Sequence, residues 1–153
     1  IEQSIEIAET CARVCAKYGI EYYFKASYDK ANRTSVNGKR GPGIGCLADF
    51  QKIKEEIPGL KTLTDVHDPM QVNIITFHYD DAVDVLQIPA FLSRQTDLIQ
   101  AACKTDKIVN IKKGQFLAPW DVKGILSKCT DAKEVWITER GTSFGYNTLV
   151  VDF

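Results

Sequence analysis

The chain has 153 residues, of which 44% are hydrophobic and 25% charged, with a net charge of −1. That length supports one domain with a real core, and that charge argues against a general nucleic-acid or anionic-membrane binder. No apolar run approaches the ~20 residues that cross a bilayer and no signal peptide is visible, so a cytoplasmic protein with no membrane partner is expected.

Strand and helix patterns alternate along the chain. Ile5, Ala8, Ala12 and Cys15 recur at helical spacing, with Glu2, Glu6 and Glu9 early, Arg13 and Lys17 late, and Gly19 as a stop. The first apolar strand run is Tyr22–Ser27. The glycine-rich stretch Gly41–Gly45 does not follow it as a dinucleotide-binding turn does, and reads as a flexible loop. Leu47, Phe50, Ile53 and Ile57 form a second helical stripe closed by Pro58 and Gly59, before the strand run Lys61–His67. Met70–Asp81 fits neither period, and the third strand run is Val83–Pro89. Leu98, Ile99, Ala102 and Cys103 form a third helical stripe after a Thr96 cap. The fourth strand run is Ile108–Gln115. Pro119 then opens a helix with Val122, Ile125, Leu126 and Cys129 on its apolar face, and the fifth strand run is Val135–Gly141. Cys11, Cys15, Cys46, Cys103 and Cys129 are odd in number and mostly have apolar neighbours, which reads as reduced, buried thiols.

This alternation argues for an α/β fold, a parallel sheet with covering helices in a single domain over 1–153. Strand period 2 sorts the side chains into two faces. Tyr23, Lys25 and Ser27 share one face of their run; Leu63, Asp65 and His67 do in the second; Val85, Gln87 and Pro89 in the third. Asn110 and Lys112 oppose Val109, Ile111 and Lys113, which favours Lys112 as the inward lysine, and Thr138 and Arg140 oppose Val135 and Ile137. Polar chemistry gathered where parallel strands end is how a (β/α)8 TIM barrel builds an active site. Such a barrel needs about 250 residues and eight strands. The expectation is therefore an incomplete portion with about five βα units, unable to turn over by itself.

The gathered chemistry is cationic. Lys25, Lys30, Arg33, Arg94, Lys112 and Arg140 can converge on a phosphate, Arg as a bidentate fork and Lys as a mobile point charge. Any one of them could instead be a solvated surface charge, although Lys25 and Lys112 sit inside apolar runs where an unpaired ammonium is costly. Asp65 and His67 flank Val66 and can serve acid–base work or orient a cation, or simply bond at a strand end. His78 reads as a surface residue, and no Cys/His spacing makes a zinc cage.

FKASYDKANRTS (Phe24–Ser35), TDVHDP (Thr64–Pro69), QIPAFLSRQTDL (Gln87–Leu98), NIKKGQFLAPWD (Asn110–Asp121) and TERGTSFGYNTLVVDF (Thr138–Phe153) resemble, in the same order, the 3-deoxy-D-manno-octulosonate 8-phosphate synthases. The related 3-deoxy-heptulosonate phosphate synthases usually carry Lys-Pro-Arg-Thr in the first motif. Here it reads Lys30-Ala31-Asn32-Arg33-Thr34, which fits the octulosonate enzymes. The resemblance implies a transferase that condenses phosphoenolpyruvate with arabinose 5-phosphate and water, on the route to lipopolysaccharide. It implies Lys30, Lys112 and Arg140 on phosphoenolpyruvate, helped by Lys25, Ser27, Gln87 and the Ala90 backbone. Asn32, Arg33 and Thr34 would take the aldose phosphate, and Asp65 would position the aldopentose. His67, Pro89, Phe91, Asn110 and Gln115 would line the substrates, and Arg94 would reach across a subunit boundary in a homotetramer. Thr34 stands where Ser is commoner, and Val36–Arg40 replaces a more usual Ile-His-Ser-x-Arg run. The family's first strand and last two strands have no counterpart. A divalent metal serves one branch through ligands on those strands, so no cofactor is assigned and no metal residue named. Two alternatives remain: an erythrose 4-phosphate-using synthase, or a non-catalytic barrel piece with a binding or assembly role.

Overall fold

The protein is described by a computed structural model over residues 1–151. Its elements run α1 (Glu2–Lys17), β1 (Tyr23–Lys25), α2 (Leu47–Glu56), β2 (Lys61–Asp65), α3 (Pro69–His78), β3 (Val85–Ile88), α4 (Thr96–Cys103), β4 (Ile108–Lys112), α5 (Val122–Leu126), β5 (Glu134–Thr138), β6 (Thr142–Phe144) and β7 (Thr148–Val150). The first five strands form one sheet in chain order, every neighbouring pair parallel. All five lie within the apolar runs seen in the sequence or one residue beyond them. The fold is α/β, an arc of alternating strands and helices of the (β/α) barrel type.

Register aligns the polar face in layers. Asp65 pairs with Gln87, Gln87 with Asn110 and Asn110 with Trp136; Lys112 pairs with Thr138 one layer nearer the strand ends. The opposite face carries Phe24, Leu86, Ile88, Val109 and Ile111, which pack against Phe50 and Ile53 of α2, Val72 and Ile75 of α3, and Leu98 and Ile99 of α4. Each fully buried aliphatic side chain contributes about 1.5–3 kcal/mol, so this helix-facing layer holds the arc together. On the concave side Tyr23 of β1 meets Trp136 of β5 edge to face, 5.1 Å between ring centroids. Strands four places apart in a flat sheet would be about 19 Å apart, so the contact requires strong curvature.

Three expectations change. Met70–Asp81, which fitted neither period, is mostly helix. Pro69 opens α3 and the Asp68 side chain caps it, accepting from the Gln71 N–H at 2.8 Å. Its apolar residues wrap around the helix instead of forming a stripe: Val72 and Ile75 are buried while Met70 and Phe77 are exposed. Thr96 is the first helical residue of α4 and not its cap, which is Gln95 without a side-chain bond. The hairpin β6–β7 was not foreseen; three-residue strands are too short to show alternation, and Gly145 and Asn147 turn it with positive φ.

Among the described residues all five cysteines are free, with Cys103 buried and the rest partly so. Among the described residues no helix is long and apolar enough to cross a membrane.

Candidate active site

The polar ends of the five parallel strands surround a cleft of about 310 Å³. Lys25 and Ser27 reach it from the end of β1, Asp65 and His67 from β2, and Gln87, Pro89, Ala90 and Phe91 from β3. Lys112 and Gln115 come from β4 and Arg140 from β5. The β1–α2 loop adds Lys30 and Asn32. Of the six cations expected to converge, Lys25, Lys30, Lys112 and Arg140 meet in this cleft, with Asp65 beside them, and Arg33 and Arg94 do not line it.

Lys25 and Lys30 both donate to the Ser27 hydroxyl, at 3.4 and 3.0 Å. Burial holds the Lys25 ammonium below its ordinary value; Asp65 opposes this, while the Lys112 and Lys30 charges add to it. The one carboxylate near Lys25 is Asp65, at 3.9 Å. Cations crowded in this way repel one another, and an anion placed among them would relieve that repulsion.

Asp65 Oδ2 lies 3.0 Å from His67 Nε2. That hydrogen bond raises the His67 value above the ordinary imidazole, against burial. Burial alone would raise the Asp65 carboxyl, but the His67 bond, the nearby Ser27 hydroxyl and the Lys25 charge outweigh it and the net shift is downward. The second oxygen, Asp65 Oδ1, is buried without a hydrogen-bond partner. Beneath the cleft, Gln87 donates to Asn110 at 2.6 Å and Asn110 donates to Thr138 at 2.8 Å, so a chain of side-chain bonds spans three strands.

The β1–α2 loop is tied at its neck. Arg40 donates to both Asp29 oxygens, at 2.9 and 2.5 Å, the Lys30 N–H bonds the Arg40 carbonyl, and the Gly43 N–H bonds the Tyr28 carbonyl. The Arg40 guanidinium holds Asp29 below the usual carboxylate range. Gly41 has φ +127°, and a Cβ there would stand 2.5 Å from the Tyr28 carbonyl oxygen. The glycine-rich stretch is therefore a fitted closure and not merely a flexible loop.

Four predicted residues are not among the cleft's lining. Asn110 is buried in the floor, spent on Gln87 and Thr138, because its layer lies below the strand ends. Arg33 turns under its loop against Gly38, its Nε buried without a partner, and Thr34 beside it is exposed. Arg94 is outside the lining but next to it, its guanidinium over the ring of the lining residue Phe116, 5.0 Å from the centroid. Conversely, Asp29, Ala31 and Phe116 line the cleft without having been singled out. All three lie inside the motifs FKASYDKANRTS and NIKKGQFLAPWD, which was the available signal.

Lys112 faces the cleft and Lys113 does not, as the alternation requires. Lys113 departs from its apolar face, however. It is 1% exposed, and its ammonium donates to the carbonyls of Gly114, Leu117 and Gly141 and to the Thr142 hydroxyl at 2.9–3.3 Å, with Glu139 3.7 Å away. It ties the Gln115 loop to the segment after Arg140. Among the described residues no group of three His, Cys, Asp or Glu side chains is placed to hold a metal ion.

A family model described as the DAHP synthetase I family matches residues 1–153. The chain belongs to the DAHP synthetase I family. Within it the chain is similar to proteins named 2-dehydro-3-deoxyphosphooctonate aldolase. The protein of that name from Chelativorans sp. is 53% identical over 154 aligned positions, covering 99% of this chain and 54% of the relative. One from Cyanothece sp. is 49% identical, covering 97% and 54%. One from Caulobacter vibrioides is 51% identical, covering 99% and 52%. The chain spans about half the length of the curated relatives it matches.

Proposed function

We propose that the protein carrying this chain condenses phosphoenolpyruvate with D-arabinose 5-phosphate and water, giving 3-deoxy-D-manno-octulosonate 8-phosphate and inorganic phosphate. The observation that carries this reading is the meeting of Lys25, Lys30, Lys112 and Arg140 in one cleft where parallel strands end. Family membership and the relatives' shared name support the substrates.

Phosphoenolpyruvate bears a carboxylate and a phosphate on one carbon, and needs several cations to be held in a small space. Lys30, Lys112 and Arg140 neutralise it, with Lys25 and Ser27 beside them and Gln87, Pro89, Ala90, Phe91 and Gln115 shaping the wall. The nucleophilic enol carbon attacks the aldose carbonyl, and positive character builds at the phosphate-bearing carbon. Water adds there and the phosphate departs with its bonding pair. The lysines and arginine stabilise the charge that gathers on the departing phosphate, and the fixed walls keep the two substrates in line. Asp65 and His67 face the aldopentose hydroxyls. Asn32, with Arg33 and Thr34 next on the same loop, takes the distal phosphate. Arg94, which is not among the residues lining its own cleft, serves a neighbouring subunit of a homotetramer. The enzyme acts in the cytoplasm and its product feeds lipopolysaccharide synthesis.

The test is phosphate release by the full-length protein. Release with phosphoenolpyruvate plus arabinose 5-phosphate, and little with erythrose 4-phosphate, is expected. The reverse preference transfers the reading to the heptulosonate reaction, and phosphoenolpyruvate binding without release under either aldose makes the site a binding site only.

A further inference from the structure

The Asp65–His67 pair rests on a side chain that belongs to no motif in the sequence. Gln71, in the first turn of α3, places its Oε1 2.8 Å from the His67 backbone N, 2.6 Å from the Tyr28 hydroxyl and 3.3 Å from His67 Nδ1. The backbone N–H can only donate, so the atom facing it is the amide oxygen and not the amide nitrogen. Tyr28 is 2% exposed, and burial raises its phenol far above the ordinary value, so its hydroxyl stays protonated and donates as well. His67 Nδ1 therefore meets an acceptor. Nε2 meets another acceptor, Asp65 Oδ2, at 3.0 Å. An imidazole with an acceptor at each ring nitrogen is satisfied only when both carry protons.

We propose that Gln71 is a positioning residue that holds His67 as the doubly protonated imidazolium, locking Asp65 through Oδ2 and leaving Asp65 Oδ1 as an unspent acceptor for a ligand hydroxyl. The charges around the ring agree. Asp65 from β2 and Asp29 from the β1–α2 loop both favour the cation. Tyr28 stands edge-on to the ring at 6.2 Å, and Lys25 approaches the far side of Asp65 at 3.9 Å. Oδ1 is buried and makes no hydrogen bond, with only the Lys25 ammonium near it at 3.9 Å, so a polyol hydroxyl donating to it would satisfy an acceptor left without a hydrogen bond. The ligand part of this inference rests on the proposed reaction; the protonation part does not.

The decisive measurement is the ¹⁵N titration of histidine-labelled full-length protein, with signals assigned by their loss in His67→Gln and His78→Gln. His67 is expected to hold its second proton to higher pH than a histidine in an unstructured peptide does. Gln71→Met should lower the pH at which that second proton is lost, by the Gln71 share and not by the Asp65 share, and Gln71→Glu, which keeps an acceptor oxygen, should restore or raise it. A singly protonated His67 at neutral pH overturns the proposal. So does a Gln71→Met ring that titrates as the wild type does, in a protein that melts normally. In kinetics Gln71→Met should raise the KM for the aldose about tenfold, the scale of one charge-assisted hydrogen bond, with that for phosphoenolpyruvate unchanged. If neither aldose reacts in the wild type, the proposed reaction fails while the titration still decides the charge of His67.

Discussion

Lys112 and Lys113 leave β4 on opposite faces, one into the cleft and one into a cage of oxygen acceptors. Their replacements should fail in different ways. In the full-length protein Lys112→Ala should lose about a hundredfold in kcat/KM, the scale of removing one preorganised charge donor, with its unfolding midpoint little changed. Lys113→Met leaves the Gly114, Leu117 and Gly141 carbonyls and nearby Glu139 without their cation. It should cost about 3–5 kcal/mol in denaturant unfolding, as breaking a buried charge cluster does. Equal stabilities for the two variants would remove the tie proposed for Lys113. The alternation of Asn110 to Lys113 was enough to separate the two residues by face. It could not show that the outward lysine is structural, because its acceptors on Gly141 and Thr142 come from a different strand end.

The β1–α2 loop carries Lys30 and Asn32 to the cleft and depends on its closure at Gly41. Gly41→Ala puts a Cβ 2.5 Å from the Tyr28 carbonyl oxygen at φ +127°. A left-handed strain with a backbone clash costs about 1–3 kcal/mol, borne first by the loop. The expected result is weaker phosphoenolpyruvate binding, by calorimetry, with far-UV circular dichroism unchanged; unaltered affinity would mean that the loop is not what presents Lys30. Element identity was legible for every strand of the sheet and for the helices with one apolar stripe. It failed at α3, where apolar side chains encircle a short helix and only the Asp68-Pro69 start marks it. It failed again at the β6–β7 hairpin, where positive φ at Gly145 and Asn147 reverses the chain over strands too short to read.

At the scale of the molecule, curvature brings the strand ends to one cleft. Tyr23 and Trp136, on the first and last strands of the sheet, touch only because the arc closes toward itself. Tyr23→Ala should cost about 0.5–1.5 kcal/mol for the aromatic contact and shift Trp136 emission to the red in a Trp120→Phe background. Emission that does not move would show the two strands standing apart in solution. The sequence by itself determined the order of the five sheet strands and the striped helices, the family, and the face of each sheet strand that bears the polar groups. Those signals are local: period-2 alternation, apolar stripes and contiguous motifs are written within a few residues of each other. Only the tertiary structure decided which polar groups meet a ligand and which meet each other. It spent Asn110 on the floor, buried Lys113 and brought Gln71 to Tyr28. Tyr28 and Gln71 are 43 positions apart, and Lys113 and Gly141 are 28 apart. No local pattern records such a pairing, because the cost of a buried charge or an unpaired acceptor is settled by whatever the fold sets beside it.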